Sequence, residues 1–346
     1  MLAKVLLENP MILILDEPTN FLDENHINWL RGFLQNYSNA FILVSHDIPF
    51  LNSVVNVIYH VENAVLTRYT GDYENFQRMY ELKKRQLEQA YEKQQKEIAG
   101  LQDFVARNKA RAATANMARS RQRKLDKMDV ITLAKEKIKP SFSFISGRTT
   151  GKVVIDAENL VLGYGEPLTK PMSFQVERYQ KIAIKGVNGL GKSTLLKTML
   201  GIIPPVSGEV KLDQFAEICY FEQEEISSEK TALEKIWEEY PAMSNAEVRA
   251  ALARCGLTTD HITSQMKVLS GGENAKVRLC SLMLRQCNLL VLDEPTNHLD
   301  VDAKDELKRA VNEYKGTVVL VSHEPEFYAD IVTDVWNLEK WTTKII

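Results

Sequence analysis

Cysteine is scarce in this sequence. Cys219, Cys255, Cys280 and Cys287 are four among 346 residues, with no C-x-x-C spacing and only apolar or helical surroundings. That argues against a disulfide scaffold or a zinc ribbon and leaves reduced packing thiols. Long hydrophobic runs are missing too: no apolar stretch approaches the roughly 20 residues a membrane helix needs. Met1-Leu2-Ala3-Lys4-Val5-Leu6-Leu7-Glu8 reads as a charged helix and not as a signal peptide. Together these predict a cytoplasmic protein with no membrane segment. Between Tyr73 and Lys139 there is no proline and one glycine, Gly100. From Phe104 to Leu125 there is no Asp or Glu, although the whole chain carries a formal net charge of −3.

What is present begins with Gly186-Val187-Asn188-Gly189-Leu190-Gly191-Lys192-Ser193-Thr194. It follows Lys181-Ile182-Ala183-Ile184-Lys185, a short buried strand by its pattern, and precedes Leu195 to Leu200, the start of a helix. Strand, glycine-rich loop, Lys-Ser and helix make the phosphate-binding pattern G-x-x-x-x-G-K-[ST]. The glycines let backbone N–H groups turn inward around phosphate oxygens, and the helix N-terminus adds its positive dipole end. Lys192 is placed for the β- and γ-phosphates and the Ser193 hydroxyl for Mg²⁺. Downstream, Leu289-Leu290-Val291-Leu292 ends in Asp293-Glu294, where Asp293 suits Mg²⁺ and Glu294 suits positioning a water against the γ-phosphate. Leu269-Ser270-Gly271-Gly272-Glu273 precedes a helix predicted over 274–284, so Ser270, Gly271 and Gly272 form a second anion nest.

Two motifs occur twice. Asp16-Glu17-Pro18-Thr19-Asn20-Phe21-Leu22-Asp23 lies 277 positions before Asp293-Glu294-Pro295-Thr296-Asn297-His298-Leu299-Asp300. Phe41 to His46 lies 277 positions before Val318 to His323. One offset shared by two motifs implies parts of two homologous modules. Met1 falls opposite Arg278, so the first module reads as N-terminally truncated, without a phosphate loop or signature of its own. The expected layout is the end of a first module at 1–70, a linker at 71–140 and a complete second module at 150–346.

The linker has its own pattern. Leu87, Tyr91, Gln94, Ile98, Leu101 and Val105 recur at alternating steps of four and three, a narrow coiled-coil seam. A second helix is predicted over 115–137, with Met117, Leu125, Met128 and Ile131 as its apolar side. The small-residue break at 110–114 makes the two an antiparallel hairpin, with arms of about 25 to 33 residues spanning roughly 40 to 50 Å. Its tip carries Arg107, Lys109, Arg111, Arg119, Arg121, Arg123 and Lys124, with alanines between them that allow close approach. A solvated charged coil would intersperse glutamates, as Glu88, Glu92 and Glu97 do in the first arm. An acid-free basic tip instead fits the phosphate backbone of folded RNA, and the near absence of aromatics argues against base stacking.

The ordered set of phosphate loop, strand-end glutamine (Gln223), LSGGE, LLVLDEPTNHLD and LVSH resembles an ATP-binding cassette. Parts of two cassettes, no membrane domain and the loop Asp-Glu-Pro-Thr-Asn-x-Leu-Asp resemble the ABC-F family of soluble translation-associated ATPases, over essentially the whole chain. The resemblance implies an α/β P-loop NTPase fold, with a helical hairpin between a partial first cassette and a complete second one. It implies ATP and Mg²⁺ as cofactors, with Tyr164 on the adenine and Gly186, Asn188, Gly189, Gly191, Lys192, Ser193 and Thr194 on the phosphates. Gln223 would touch Mg²⁺ and the lytic water, Glu294 would be the base and His323 would contact the γ-phosphate. Asp16, Glu17 and His46 match the same positions of the first module, with Phe21 standing where the second has His298. The loops at Asn20–Asp23 and Asn297–Asp300 would signal across paired cassettes. Each phosphate loop in the family faces the other cassette's LSGG, so efficient hydrolysis would need the missing half. The implied partners are the ribosome and P-site tRNA. A ribosome-protection resistance factor, a transporter ATP-binding subunit, a chromosome-maintenance ATPase and an inactive fragment are the competing readings. A transporter subunit would carry one cassette without a basic hairpin, and a chromosome ATPase would hold its coil inside one cassette.

Overall fold

The computed structural model describes residues 2–19, 22–62, 64–108, 114–131, 139–222 and 228–343. Gln223, Lys109, Arg111, Asn20 and Phe21 lie outside the described residues. The chain divides into two compact units, one of residues 1–46 with 137–346 and the other of 47–136.

The first unit opens with α1 (Leu2–Leu7), β1 (Ile12–Asp16), α2 (Glu24–Gln35) and β2 (Ala40–Val44). Strands β1 and β2 are parallel, pairing Ile12 with Ala40 through Asp16 with Val44. Asp23 caps α2, its carboxylate accepting from the His26 backbone N–H at 3.0 Å, which satisfies one of the orphan donors of the first turn.

The second unit comprises α3 (Ile48–Val54), β3 (Val57–Glu62), β4 (Val65–Thr70), α4 (Tyr73–Asn108) and α5 (Ala115–Asp126). β3 and β4 form an antiparallel hairpin. His60, Tyr69, Phe76 and Tyr80 stack where it meets α4. α5 runs back along α4: the Arg121 guanidinium sits over the Phe104 ring at 3.7 Å, and Lys124 pairs with Glu97 at 2.6 Å. The seam residue Gln94 is polar for a reason. It donates to the Asp129 carbonyl at 2.7 Å and accepts from the Ile131 N–H at 2.8 Å, tying the end of the returning arm to the first. Two expectations are corrected. The second helix ends at Asp126, ahead of Lys137, and residues 132–138 lie outside the described set. Its buried contact is Ala118, while Met117, the next position and about 100° further round the helix, is exposed, because the packed face is centred one residue along.

The rest of the first unit begins with β5 (Ile145–Ser146), β6 (Val153–Val161), β7 (Gly163–Tyr164), β8 (Glu166–Pro167) and β9 (Met172–Glu177). Next come β10 (Lys181–Lys185), α6 (Lys192–Met199), β11 (Ser207–Leu212) and β12 (Ile218–Phe221). A helical region follows: α7 (Ala232–Glu239), α8 (Asn245–Arg254), α9 (Thr259–Thr263) and α10 (Gly271–Leu284). The chain then gives β13 (Gln286–Cys287), β14 (Leu289–Asp293), α11 (Val301–Glu313), β15 (Thr317–Val321), α12 (Pro325–Tyr328) and β16 (Asp334–Asn337).

The central sheet runs β12-β14-β15-β10-β16, all parallel, and an antiparallel sheet β11-β6-β9 accompanies it. A parallel sheet covered on both faces needs apolar residues on both, and Leu289–Asp293 and Thr317–Val321 are buried throughout. Alternate residues serve two cores. Leu290, Leu292, Val318 and Leu320 join the helical region with α11, and Leu289, Val291, Val319 and Val321 join β6, β9, β10 and α6. The four cysteines are buried free thiols. This is the α/β ATP-binding cassette fold, and no helix among the described residues is long and apolar enough to cross a membrane.

Candidate nucleotide site

The phosphate loop leaves the end of β10 and turns into α6. Gly191, the N-cap of α6, has φ +94°, a left-handed conformation that a side chain resists. With the cap there, the first N–H groups of α6 face the loop. Lys192 is buried, and its Nζ donates to the carbonyls of Gly186 (2.9 Å) and Val187 (3.3 Å) and to Asn188 Oδ1 (3.2 Å). Burial pushes its pKa down. Glu294, Asp293, Asp23 and Glu339 around it oppose that shift.

Two carboxylates end β14. Asp293 is 1% exposed, and burial pushes its carboxyl up to about 6. Neither oxygen makes a well-aligned hydrogen bond, although the Ser193 hydroxyl is near enough to favour the charged form. A buried carboxylate beside a hydroxyl at a phosphate loop fits Mg²⁺, a cation held by one or two carboxylates together with phosphate oxygens. Glu294 differs. Burial would raise its pKa, but His323 and Asn297 hold it below the usual carboxylate range. His323 Nε2 lies 3.2 Å from Glu294 Oε1, and Asn297 Nδ2 donates to Oε2 at 2.8 Å. Glu294 also has φ +47°, outside the conformations a glutamate prefers.

The first-module motif has the same build. Glu17 has φ +45°, and His46 Nε2 lies 3.5 Å from Glu17 Oε1. The Glu17 N–H donates to the Val44 carbonyl at 2.8 Å, as the Glu294 N–H does to Val321 at 3.0 Å. The Asp16–Val44 pairing likewise sits 277 positions before Asp293–Val321. Asp16 is exposed and ends β1.

The remaining predicted residues form three other groups. Tyr164 is exposed, 3.5 Å from the Thr194 hydroxyl that donates to it. Ser270 caps α10, its hydroxyl accepting from the Glu273 N–H at 3.3 Å while Glu273 accepts from the Ser270 N–H at 2.8 Å. A Cβ on Gly272 would come within 2.5 Å of the His298 carbonyl oxygen, so the signature lies against the DEPTNHLD loop. On the hairpin, Arg107 pairs with Asp103 at 2.8 Å. With Lys124 on Glu97 and Arg121 on Phe104, this leaves Arg119 and Arg123 as the exposed described tip residues to which no such partner is attached.

Sequence reasoning did not reach several contacts here. Asp23 Oδ2 accepts from the Asn188 N–H at 3.3 Å, placing a first-module carboxylate on the second module's phosphate loop. Lys276, on α10, pairs with Asp300 at 2.7 Å. Burial would raise the Asp300 pKa, but Lys276 and the Ala303 N–H hold it low, with His46 adding to the effect.

Comparison with known proteins shows the family of the chain. Two family models, both described as ABC transporter, match residues 59–144 and 169–297. The chain is 61% identical over its full length to the uncharacterized ABC transporter ATP-binding protein YfmM of Bacillus subtilis, and spans 67% of it. It is 38% identical to ABC transporter F family member 5 of Arabidopsis thaliana, covering 98% of this chain and 50% of that one. Among solved structures, RNase-L Inhibitor shares the fold, with a TM-score of 0.58 at 20% identity over 97% of this chain and 59% of that one. The chain thus spans between half and two thirds of these curated relatives.

Proposed function

The chain belongs to the ABC-F family of ATP-binding cassette proteins, and from that premise we propose that it acts on the ribosome as an ATPase in the cytoplasm, its basic hairpin contacting P-site tRNA. The observation that carries the enzymatic part is the meeting of Lys192, Ser193, Asp293, Glu294 and His323 around one loop. The buried Lys192 ammonium meets the β- and γ-phosphates. The P-loop N–H groups and the α6 N-terminus hold the remaining phosphate oxygens. Ser193 and Asp293 would hold Mg²⁺, with Gln223 as the ligand expected from the sequence, and the ion would supply positive charge to the phosphate oxygens. Glu294 orients and deprotonates the attacking water, and Asn297 and His323 fix its carboxylate. His323 then faces the γ-phosphate, and Tyr164 stacks on the adenine. The Asp23–Asn188 contact supports pairing of the two cassettes, and Asp16, Glu17 and His46 would take the matching roles only beside a phosphate loop of the first cassette.

What supports the ribosomal part is the hairpin tip, basic and without a single acidic residue over 104–125. Arg119 and Arg123 are its exposed phosphate contacts. The test is co-sedimentation with ribosomes across a salt series. Arg119→Glu with Arg123→Glu should weaken binding at least tenfold and flatten its salt dependence. Unchanged binding at every salt concentration would overturn the RNA reading and leave the nucleotide site untouched.

A further inference from the structure

The two ends of the central sheet carry different chemistry. Strands β12, β14, β15 and β10 are parallel, so the phosphate loop and Asp293–Glu294 leave one end while the strand starts gather at the other. At that starting end two exposed aromatic rings each lie under a guanidinium. The Arg148 guanidinium sits over the Phe215 ring at 4.4 Å, and that of Arg178 over the Tyr179 ring at 5.1 Å. Phe215 is 39% and Tyr179 56% exposed.

Both pairs are held in place. Buried Asn288, just before β14, donates to the Arg148 carbonyl at 2.7 Å and to the Phe215 carbonyl at 2.8 Å, and accepts from the Glu217 N–H at 2.8 Å. Arg178 donates to the Thr150 carbonyl at 2.9 Å. Asp213 accepts from the N–H groups of Gly151 at 3.0 Å and Phe215 at 2.7 Å, so the two pairs flank one short segment, 148–152. Tyr179 has φ +69°, a left-handed conformation that glycine adopts freely and a tyrosine resists. Glycine would serve that turn better, so the ring points to a use outside it. Lys152 and Lys315 are exposed at the same end. Over 148–152, 177–180, 213–217 and 315–317 the carboxylates are Glu177, Asp213 and Glu217. Asp213 is spent on two N–H groups, and Glu177 pairs with Lys152 at 3.3 Å.

We propose that this end of the cassette is a platform for single-stranded RNA, with unpaired bases stacking at the Arg148–Phe215 and Arg178–Tyr179 pairs and phosphates meeting Lys152 and Lys315. Unpaired bases stack on aromatic rings and on guanidinium planes alike. An acidic peptide would use the four cations and leave the two rings without a role. The hairpin tip offers charge to a folded RNA, and this platform offers stacking to an open strand. It lies at the end of the sheet away from the phosphate loop, so its binding needs no nucleotide.

The experiment uses the 346-residue chain carrying Arg119→Glu and Arg123→Glu, which removes the hairpin contact proposed above and separates the two readings. Fluorescence anisotropy of a labelled oligouridylate strand, which has no adenine for the nucleotide site, reports binding without nucleotide or ribosomes. The expected result is binding of the single strand, with an RNA duplex of the same length held at least tenfold more weakly. Tyr179→Gly should weaken the single strand by about 5- to 100-fold, and Phe215→Ala likewise. Tyr179→Gly also relaxes a left-handed residue, so its melting temperature should not fall, and lost binding is then not lost folding. No binding of the single strand, unchanged affinity in both variants, or a duplex bound as tightly overturns the proposal. Polyglutamate binding that Tyr179→Gly and Phe215→Ala weaken equally overturns it too, in favour of an acidic protein partner.

Discussion

Two stretches of this chain fold by the same plan and meet different surroundings. Residues 12–46 and 289–323 each run strand, Asp-Glu-Pro-Thr loop, helix, strand and Ser-His, with identical strand register. Each holds its glutamate at positive φ, near a histidine and bonded to the neighbouring strand. The local conformation therefore follows from the local sequence and from the pairing of two strands, whatever covers them. Burial does not follow from them. Among the described residues, alternate residues of β14 and β15 are locked into a second core that β1 and β2 do not join, and the second stretch is the one that faces a phosphate loop.

The sharpest way to break this comparison is to place a charge at equivalent positions. Val319→Asp buries an unpaired carboxylate and should cost about 3 to 5 kcal/mol, read as a lower urea midpoint or loss of the folded protein. Ile42→Asp should stay within about 0.5 kcal/mol in the same assay, since its side chain meets solvent. Equal effects would mean that the two faces are covered alike.

The glutamates come next. Glu294→Gln should lower any ATP turnover by about 100-fold or more while nucleotide binding persists, because the base is lost and the phosphate contacts remain. Glu17→Gln should change turnover less than about twofold, as it adjoins no phosphate loop of its own here. Comparable losses would show that both glutamates serve one site.

The smallest effect concerns pH. Asp300 is held below the usual carboxylate range by Lys276. A depressed folded-state pKa stabilises the protein above the ordinary value of 3.8, and that contribution disappears as pH falls through the folded value. Asp300 is half exposed, so solvent screening keeps the contribution under about 1 kcal/mol. Asp300→Asn should lower the melting temperature slightly at neutral pH and flatten its fall below pH 3.8; an unchanged acid limb would contradict the pairing.

Much of the cassette was legible because its signals are local. Gly191 must adopt a left-handed cap, the apolar strands precede their loops, and the repeat shows at one offset. The residues of the site were legible too, but several contacts that support them were not, because they join positions far apart in sequence. Asp23 reaches Asn188 across 165 positions, and nothing near Asp23 announces it beyond its place in the repeat. The seam showed the hairpin, but the rotation of the returning helix, which buries Ala118 and exposes Met117, depends on its packing against the first arm. A basic residue likewise reads as free until its partner is seen: Lys124 meets Glu97 across the two arms.

The central claim is that this chain holds one nucleotide site, organised by Lys192. Equilibrium binding of a slowly hydrolysed ATP analogue with Mg²⁺, followed by calorimetry on the 346-residue chain, tests it most directly. The account predicts one nucleotide per chain and an affinity about 10- to 100-fold lower for Lys192→Ala, the loss of charge-assisted bonds worth about 1.5 to 3 kcal/mol. Two nucleotides per chain, or an unchanged affinity in Lys192→Ala, would contradict it.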